Sequence, residues 1–178
     1  TLAKKSSLTL EKILIIQGPG PFTGLRVGIN IANTLAFVKK VPLITCDTFT
    51  YFSEKIPAKF QNSTAITIKA GGDYVAIAKP NNKPKILAIA EVKNYLATPA
   101  KSSAPKNLLK YIVGDILAPD RKKIPLPTGI KWFPEKSLLP FSHLVTAHAS
   151  KKMTHHKIVK PKYLRPPKIT QSKKALFT

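Results

Sequence analysis

The 178-residue sequence predicts an α/β protein. Two patterns carry this prediction. An apolar run, a Gly-Pro loop, a helix-forming segment and a second apolar run follow one another over residues 13–47, which is the order of a βαβ unit with parallel strands. Three strand-type runs then follow between residues 64 and 92, separated by turn-forming residues, and predict an antiparallel meander.

The βαβ unit begins with the run ILIIQ at residues 13–17, whose composition is typical of a buried strand. Residues 23–40 contain no proline and end in Lys39 and Lys40, where cations suit a helix C-terminus, so they predict a helix. VPLITCD, at residues 41–47, predicts the second strand.

A polar stretch at residues 53–63, which contains Pro57, marks a predicted boundary between lobes at 1–55 and 62–178. The second lobe contains the strand-type runs TAITIKA, DYVAIAKP and KILAIAEV. A helix at 91–97, a strand around 111–113, a loop at 118–129 and a helix at 137–153 are predicted to follow. Pro140 suits the first turn of that last helix. The tail KPKYLRPPKIT is predicted to be extended, because residues that precede proline avoid the helical region.

The charge is strongly positive, with 30 Lys and Arg against 8 Asp and Glu and a net charge of +22. Such a chain attracts polyanions, of which nucleic acid is the obvious one. Only three of the basic residues are arginine, the residue suited to bidentate reading of bases, so the charge favours non-specific attraction. An AT-rich coding sequence would produce the same scattered lysine excess, and this alternative stays open.

Membrane and secreted classes are not favoured. No run of about 18 uncharged apolar residues occurs, and no apolar segment follows the first lysines as in a signal peptide. The single cysteine, Cys46, fits a reducing compartment. These features predict a cytoplasmic protein without a membrane contact.

The stretch QGPGPFTGLRVGINIAN, at residues 17–33, does not match a nucleotide-binding loop. A Walker loop requires G-x-x-x-x-G-K, but Leu25 stands where the lysine would be. The dinucleotide fingerprint also fails, because Gly24 follows Gly20 one residue too late. Two prolines remove N–H donors, so no cofactor is predicted, although a bare anion at the helix N-terminus remains an alternative.

The predicted helix contains small residues at every fourth position, namely Gly24, Gly28, Ala32 and Ala36. Such a stripe allows another helix backbone to approach closely, and its glycines are costly unless something packs there. We therefore predict that these four residues form a partner interface. The helix is apolar on other sides as well, so complete burial within this chain is the alternative.

Catalytic and metal sites are not predicted. His143 and His148 are five residues apart, about 500° around a helix, and do not share a face as ligands four apart do. Cys46 at the end of a strand is typical of a core cysteine. The four aspartates form no recognisable acid–base pair.

The segment GPGPFTGLRVG closely resembles the GPGSFTGLRIG signature of the TsaB family. The residues that carry the match are Gly18, Pro19, Gly20, Phe22, Thr23, Gly24, Leu25, Arg26 and Gly28. The strand VPLI, the hairpin GGDYVAIA, the strand IVGD and the terminal PKYLRPP also resemble the family, in the same order.

This resemblance implies an actin-like ATPase (ribonuclease H-like) fold with two lobes. The first lobe is expected to be incomplete, because the family normally has a strand hairpin and most of a helix before the segment that begins here. The family shows Asp-Ala-Arg-Arg where this chain has Lys69-Ala70-Gly71-Gly72, so the role of that loop does not transfer.

The resemblance also implies a function. TsaB proteins are non-catalytic partners of TsaD in making threonylcarbamoyladenosine on tRNA, and they bind TsaD through a helix bundle. A TsaE-like ATPase is a further expected partner, tRNA is reached through the complex, and the chain alone is expected to form a homodimer. Two alternatives remain: a basic module that binds tRNA directly, and an ATPase in its own right.

Overall fold

The computed structural model describes residues 9–98, 109–149 and 158–164. In these ranges two one-turn 3-10 segments occur, at Ile89–Glu91 and Glu135–Ser137. The strands and helices, in chain order, are β1 Ile13–Gly18, α1 Phe22–Lys39, β2 Leu43–Asp47, α2 Thr48–Lys55, α3 Ala58–Gln61, β3 Thr64–Lys69, β4 Tyr74–Ala78, β5 Lys85–Ala88, α4 Val92–Ala97, β6 Tyr111–Asp115, α5 Ala118–Arg121, β7 Lys131–Trp132 and α6 Phe141–Ala149.

The predicted βαβ unit is present. Strands β1 and β2 pair in parallel, with Ile13 opposite Leu43, and α1 connects them. Helix α1 ends at Lys39, because the next residue, Lys40, has a left-handed φ of 52° that stops the helix. A core cluster of Ile29, Ala32, Leu43 and Val159 joins the helix to the strands.

Helix α2 was not predicted from the sequence. It begins directly after β2, because the Asp47 carboxylate accepts a hydrogen bond from the Phe49 backbone N–H at 2.8 Å and caps the first turn. The run TFTYFSEK is rich in aromatic and β-branched residues, which by propensity favour a strand. The cap and the packing of Phe49 and Phe52 against the core outweigh that preference.

Five strands form the second sheet, in the order β5-β4-β3-β6-β7. The predicted meander is confirmed, since β3 pairs with β4 and β4 with β5, both antiparallel. Strand β6 pairs in parallel with β3, and the two-residue β7 in parallel with β6, which the sequence analysis did not predict. Residues 118–129 are mostly loop, as predicted, apart from the short helix α5.

Both faces of this sheet are covered at its central strand β3. Ala65 of β3 belongs to a cluster with Val92 and Leu96 of α4, whereas its neighbour Ile66 packs with Ile56 and aromatic residues on the other face. Successive strand residues point to opposite faces, so a strand buried on both sides contains an unbroken apolar run. This explains the continuous pattern TAITI.

The described contacts cross the predicted boundary between 1–55 and 62–178. The Leu139 N–H donates to the Lys55 carbonyl oxygen at 2.8 Å, just before α6 begins. Residues 158–164, which lie within the predicted second lobe, bond to β1 and α1 of the first. Helix α6 begins at Phe141, after Pro140, so the predicted start at residue 137, with Pro140 inside the first turn, is wrong. Residues 150–153 of its predicted range lie outside the described residues. In the described part of the chain, no helix is long and apolar enough to cross a bilayer.

Candidate partner interface

The loop between β1 and α1 is built around Gly18. Its φ of 110° lies in the left-handed region that favours glycine. A β-carbon at this position would lie 2.5 Å from the Lys162 carbonyl oxygen and 2.9 Å from Leu25 Cδ1. A carbonyl oxygen carries partial negative charge and does not attract an anion. Glycine at position 18 therefore allows the backbone of Lys162, in the same chain, to lie close to the loop.

The backbone that approaches Gly18 belongs to residues 158–164, which we call the docked segment. Its Val159 side chain is buried in the cluster that contains Ile29 and Ala32 of α1. The Asn33 side-chain amide donates to the Val159 carbonyl oxygen and accepts from the Val159 N–H, both at 2.9 Å. One side chain of α1 thus satisfies both backbone groups of a residue 126 positions away.

Hydrogen bonds also join the docked segment to the end of β1. The Lys162 N–H donates to the Gln17 carbonyl oxygen at 2.9 Å. The Gln17 side chain in turn donates to the Lys160 carbonyl oxygen at 2.8 Å. The two segments that resemble family motifs, GPGPFTGLRVG and PKYLRPP, are therefore in contact. The second is described up to Leu164.

Side chains extend this contact to the first turn of α1. The Tyr163 and Phe22 rings stack with centroids 4.9 Å apart, and the Arg26 guanidinium lies 5.2 Å from the Phe22 centroid. The Lys162 ammonium lies 2.6 Å from an Asp47 carboxylate oxygen at the end of β2. The loop, the helix start and β2 are thus all held by the docked segment.

The stripe of small residues does not form one surface. Residues four apart on a helix are about 40° out of line, so the stripe turns by about 120° from Gly24 to Ala36. No atom lies within 4 Å of a β-carbon built on Gly24, whereas one on Gly28 would contact Ile15 Cδ1 at 4.0 Å. Ala32 is 5% exposed and Ala36 packs against the same cluster. The prediction of a single partner-facing stripe is wrong at Ala32, which this chain's own core cluster buries, and Ala36 is partly covered by the same cluster.

Another side of α1 is apolar and open to solvent. It lies within an arc of about 80°, in which Gly24 also falls. We call it the interface face, and its members are Val27 at 54% exposure, Ile31 at 55%, Leu35 at 45% and Val38 at 64%. Residue size alone does not distinguish this face from the buried one, whereas the angular positions of the residues on a helical wheel do.

The remaining motif residues support the loop or stay at the surface. Leu25 is half-buried, and its side chain lies 3.7 Å from a β-carbon built on Gly20. Thr23 and Arg26 are exposed, and Phe22 is exposed apart from its stack. The motif thus divides between anchoring the loop and presenting the start of α1.

The metal-binding and catalytic candidates of the sequence are its four histidines and Cys46. Within the described residues, no group of three or more His, Cys, Asp or Glu could hold a metal ion. His143 is exposed at the start of α6, and Cys46 is buried at the end of β2. The side chain of His148 is not among the described ones, and His155 and His156 lie outside the described residues.

Comparison with known sequences gives consistent matches. A family model described as "TsaD: tRNA N6-adenosine threonylcarbamoyltransferase" matches residues 2–144. A tRNA threonylcarbamoyladenosine biosynthesis protein TsaB of Buchnera aphidicola subsp. Schizaphis graminum is 28% identical over 144 residues, covering 78% of this chain and 66% of that protein. The TsaB protein of Bacillus subtilis is 44% identical over 34 residues, covering 19% of this chain and 15% of that protein. This chain thus spans less than two thirds of the length of these relatives.

Solved structures show the same fold at low identity. A Pseudomonas aeruginosa protein described as uncharacterized, with similarity to peptidase YeaZ, aligns with a TM-score of 0.59 at 20% identity over 88% of this chain and 74% of that one. YeaZ from Pseudomonas aeruginosa aligns with a TM-score of 0.57 at 20% identity, over 87% and 74%.

The architecture, with one parallel and one mixed sheet, is that of the actin-like ATPase fold family, as the resemblance implied. Within that class, the match over residues 2–144 and the TsaB relatives identify the family. The chain belongs to the TsaB family.

Proposed function

We propose that this chain is a non-catalytic scaffold that binds a TsaD-like threonylcarbamoyltransferase in the biosynthesis of threonylcarbamoyladenosine on tRNA. The observation that carries the proposal is the interface face of α1. Four large apolar side chains follow one line of the helix and are each at least 45% exposed. Contiguous exposed apolar surface of this kind marks protein interaction sites in soluble proteins.

The shape of this surface suits a helix of the partner. Val27, Ile31, Leu35 and Val38 recur at helical spacing, and the only charged residues of α1 are Arg26 and Lys39 near its two ends. A partner helix can lie along such a face and bury it in a bundle. Gly24 extends the same line toward the N-terminus without a side chain, which allows a close approach there.

The loop before α1 supports a structural rather than a catalytic role. A β-carbon on Gly18 would meet this chain's own carbonyl oxygen and Leu25, so the loop holds the docked segment at closest approach. The docked segment fixes the start of α1 and so orients the interface face. We propose that tRNA and a TsaE-like ATPase are engaged through the assembled complex, and that the interface face mediates self-association when TsaD is absent.

The test is the variant Ile31→Glu, which places a charge in the middle of the interface face. We expect binding to the cognate TsaD-like subunit to weaken by about 30-fold or more, equivalent to about 2 kcal/mol, because a central apolar contact is lost and a charge is buried. Isothermal titration calorimetry gives the dissociation constant, and melting temperature verifies folding.

Asn30→Glu is the matched control, since it adds the same charge to an exposed polar position of the same helix. It should change the affinity by less than about threefold, as a rim charge does. Equal binding by Ile31→Glu and the parent chain would refute the interface. A catalytic role would appear as a variant of the chain that retains TsaD binding and loses the modification activity of the complex.

A further inference from the structure

The turn between β4 and β5 concentrates positive charge. Residues 79–85 read KPNNKPK, and no acidic residue occurs from Lys79 up to Glu91. Glu91 is already engaged, because its carboxylate accepts a hydrogen bond from the Ala88 N–H at 2.9 Å. The turn therefore has three lysines and no counter-charge of its own.

Two of these lysines converge on one aromatic ring. The Lys79 ammonium lies 4.4 Å from the centroid of Tyr95 in α4, and the Lys85 ammonium lies 5.8 Å from the same centroid. Lys79 is 6% exposed and donates a hydrogen bond to the Thr98 carbonyl oxygen. Lys85 is exposed at the start of β5.

This arrangement is electrostatically unfavourable by itself. Burial, and after it the positive charge of Lys85, lower the pKa of Lys79 from 10.5. Among the described residues, neither lysine forms a salt bridge with a carboxylate. A bound anion would offset the repulsion between the two ammonium groups, and Tyr95 holds them in place before it arrives.

We propose that Lys79 and Lys85, held over Tyr95, bind a phosphate group, either of an RNA backbone or of free inorganic phosphate. Lysine contacts phosphate as a point charge, which suits a site that recognises charge and not base sequence. The proposal does not depend on the partner interface, because no residue of α1 takes part in it.

The first arm of the test uses a labelled single-stranded RNA of about 20 nucleotides and fluorescence anisotropy over a series of salt concentrations. We expect Lys85→Gln to reduce the magnitude of the slope of log K against log salt by about 0.7, the value for one phosphate contact on a single strand. Lys59→Gln is the matched control. Lys59 is also an exposed lysine over an aromatic ring, 5.0 Å from the Phe60 centroid, and no second ammonium of the described residues lies over that ring.

The second arm uses inorganic phosphate and follows lysine side-chain resonances by NMR. Saturable shifts that Lys85→Gln abolishes and Lys59→Gln retains support the site with free phosphate as its ligand. A slope change confined to Lys85→Gln in the first arm supports the site with RNA as its ligand. If the two variants behave alike in both arms, the positive charge acts diffusely and the proposal is overturned.

Lys79→Met adds a check on the buried member of the pair, because methionine retains apolar packing and removes the charge. In whichever arm shows binding, Lys79→Met should change the salt slope or the NMR shifts as much as Lys85→Gln does. Lys85→Gln changes an exposed residue and decides the test even if Lys79→Met does not fold.

Discussion

At the scale of single residues, Lys79 shows how an almost fully buried charge is tolerated. Its ammonium retains one hydrogen bond to the Thr98 carbonyl oxygen and a contact with the Tyr95 ring. Both contacts favour the charged form, but burial and the neighbouring Lys85 oppose it, and the net result is a lowered pKa. The folded state therefore binds the Lys79 proton less tightly than the unfolded chain does.

This difference gives stability a dependence on pH. Below the lowered pKa, both states are protonated and the full penalty of the buried charge is present. As pH rises toward 10.5, the folded state loses its proton first, so Lys79 destabilises the fold less. We expect the free energy of unfolding of the parent chain to rise relative to that of Lys79→Met over this interval.

Urea unfolding of both proteins between pH 7 and pH 10.5 measures the effect. Burial raises the pKa of Tyr95, whose contribution to stability is lost above about pH 10, but Tyr95 is present in both proteins. A difference between the two proteins that stays constant with pH would contradict the prediction. Lys59→Met, which removes an exposed lysine, is the control variant.

At the scale of elements, the βαβ unit was largely predictable and the docked segment was not. Apolar runs and the lysines at the helix end predicted β1, α1 and β2 to within about two residues, because these signals are local. The contacts of residues 158–164 depend on Gln17 and Asn33, which are 126 to 143 positions away in sequence. A polar side chain that bonds to a distant backbone leaves no periodic pattern.

Two glycines of the same motif should respond oppositely to substitution by alanine. Gly18→Ala should lower the free energy of unfolding by about 1–3 kcal/mol, because φ is positive and the added carbon meets the Lys162 carbonyl oxygen. Gly24→Ala should raise it by up to about 1 kcal/mol, since that site in α1 is open and alanine favours the helix. Urea unfolding measures both, and a Gly18→Ala variant as stable as Gly24→Ala would refute the close approach of the docked segment.

At the scale of the whole molecule, the parallel pairing of β3 with β6 joins the meander to the later part of the chain. The sequence predicted both strands but not their pairing, because strand order depends on which apolar faces are covered by helices distant in sequence. Gly114 of β6 allows the backbones of β6 and β3 to approach closely, because it has no side chain. A β-carbon there would lie 1.6 Å from the Thr67 carbonyl oxygen of β3, at a φ of 153°.

Gly114→Ala should therefore separate β6 from β3 and lower the free energy of unfolding by more than about 3 kcal/mol, which is a large share of the stability of a typical domain. Gly71→Ala is the matched control, because its φ is also positive, at 86°, but no atom lies within 4 Å of the added carbon. It should cost only about 1 kcal/mol. Thermal melts of the two variants compare them, and equal losses would mean that backbone conformation alone, without the clash, sets the cost.

The docked segment also sets the order of events during synthesis on the ribosome. Val159 completes the core cluster of β1, β2 and α1, yet it is made 126 residues after its partner Asn33. At about 5–20 residues per second, this interval is about 6 to 25 s. During this interval β1, α1 and β2 lack the Val159 side chain and the hydrogen bonds that the docked segment makes with Gln17 and Asn33. The interface face of α1 has by then already been synthesised. The nascent chain therefore passes through a period in which the interface face is exposed before the contacts that orient it have formed.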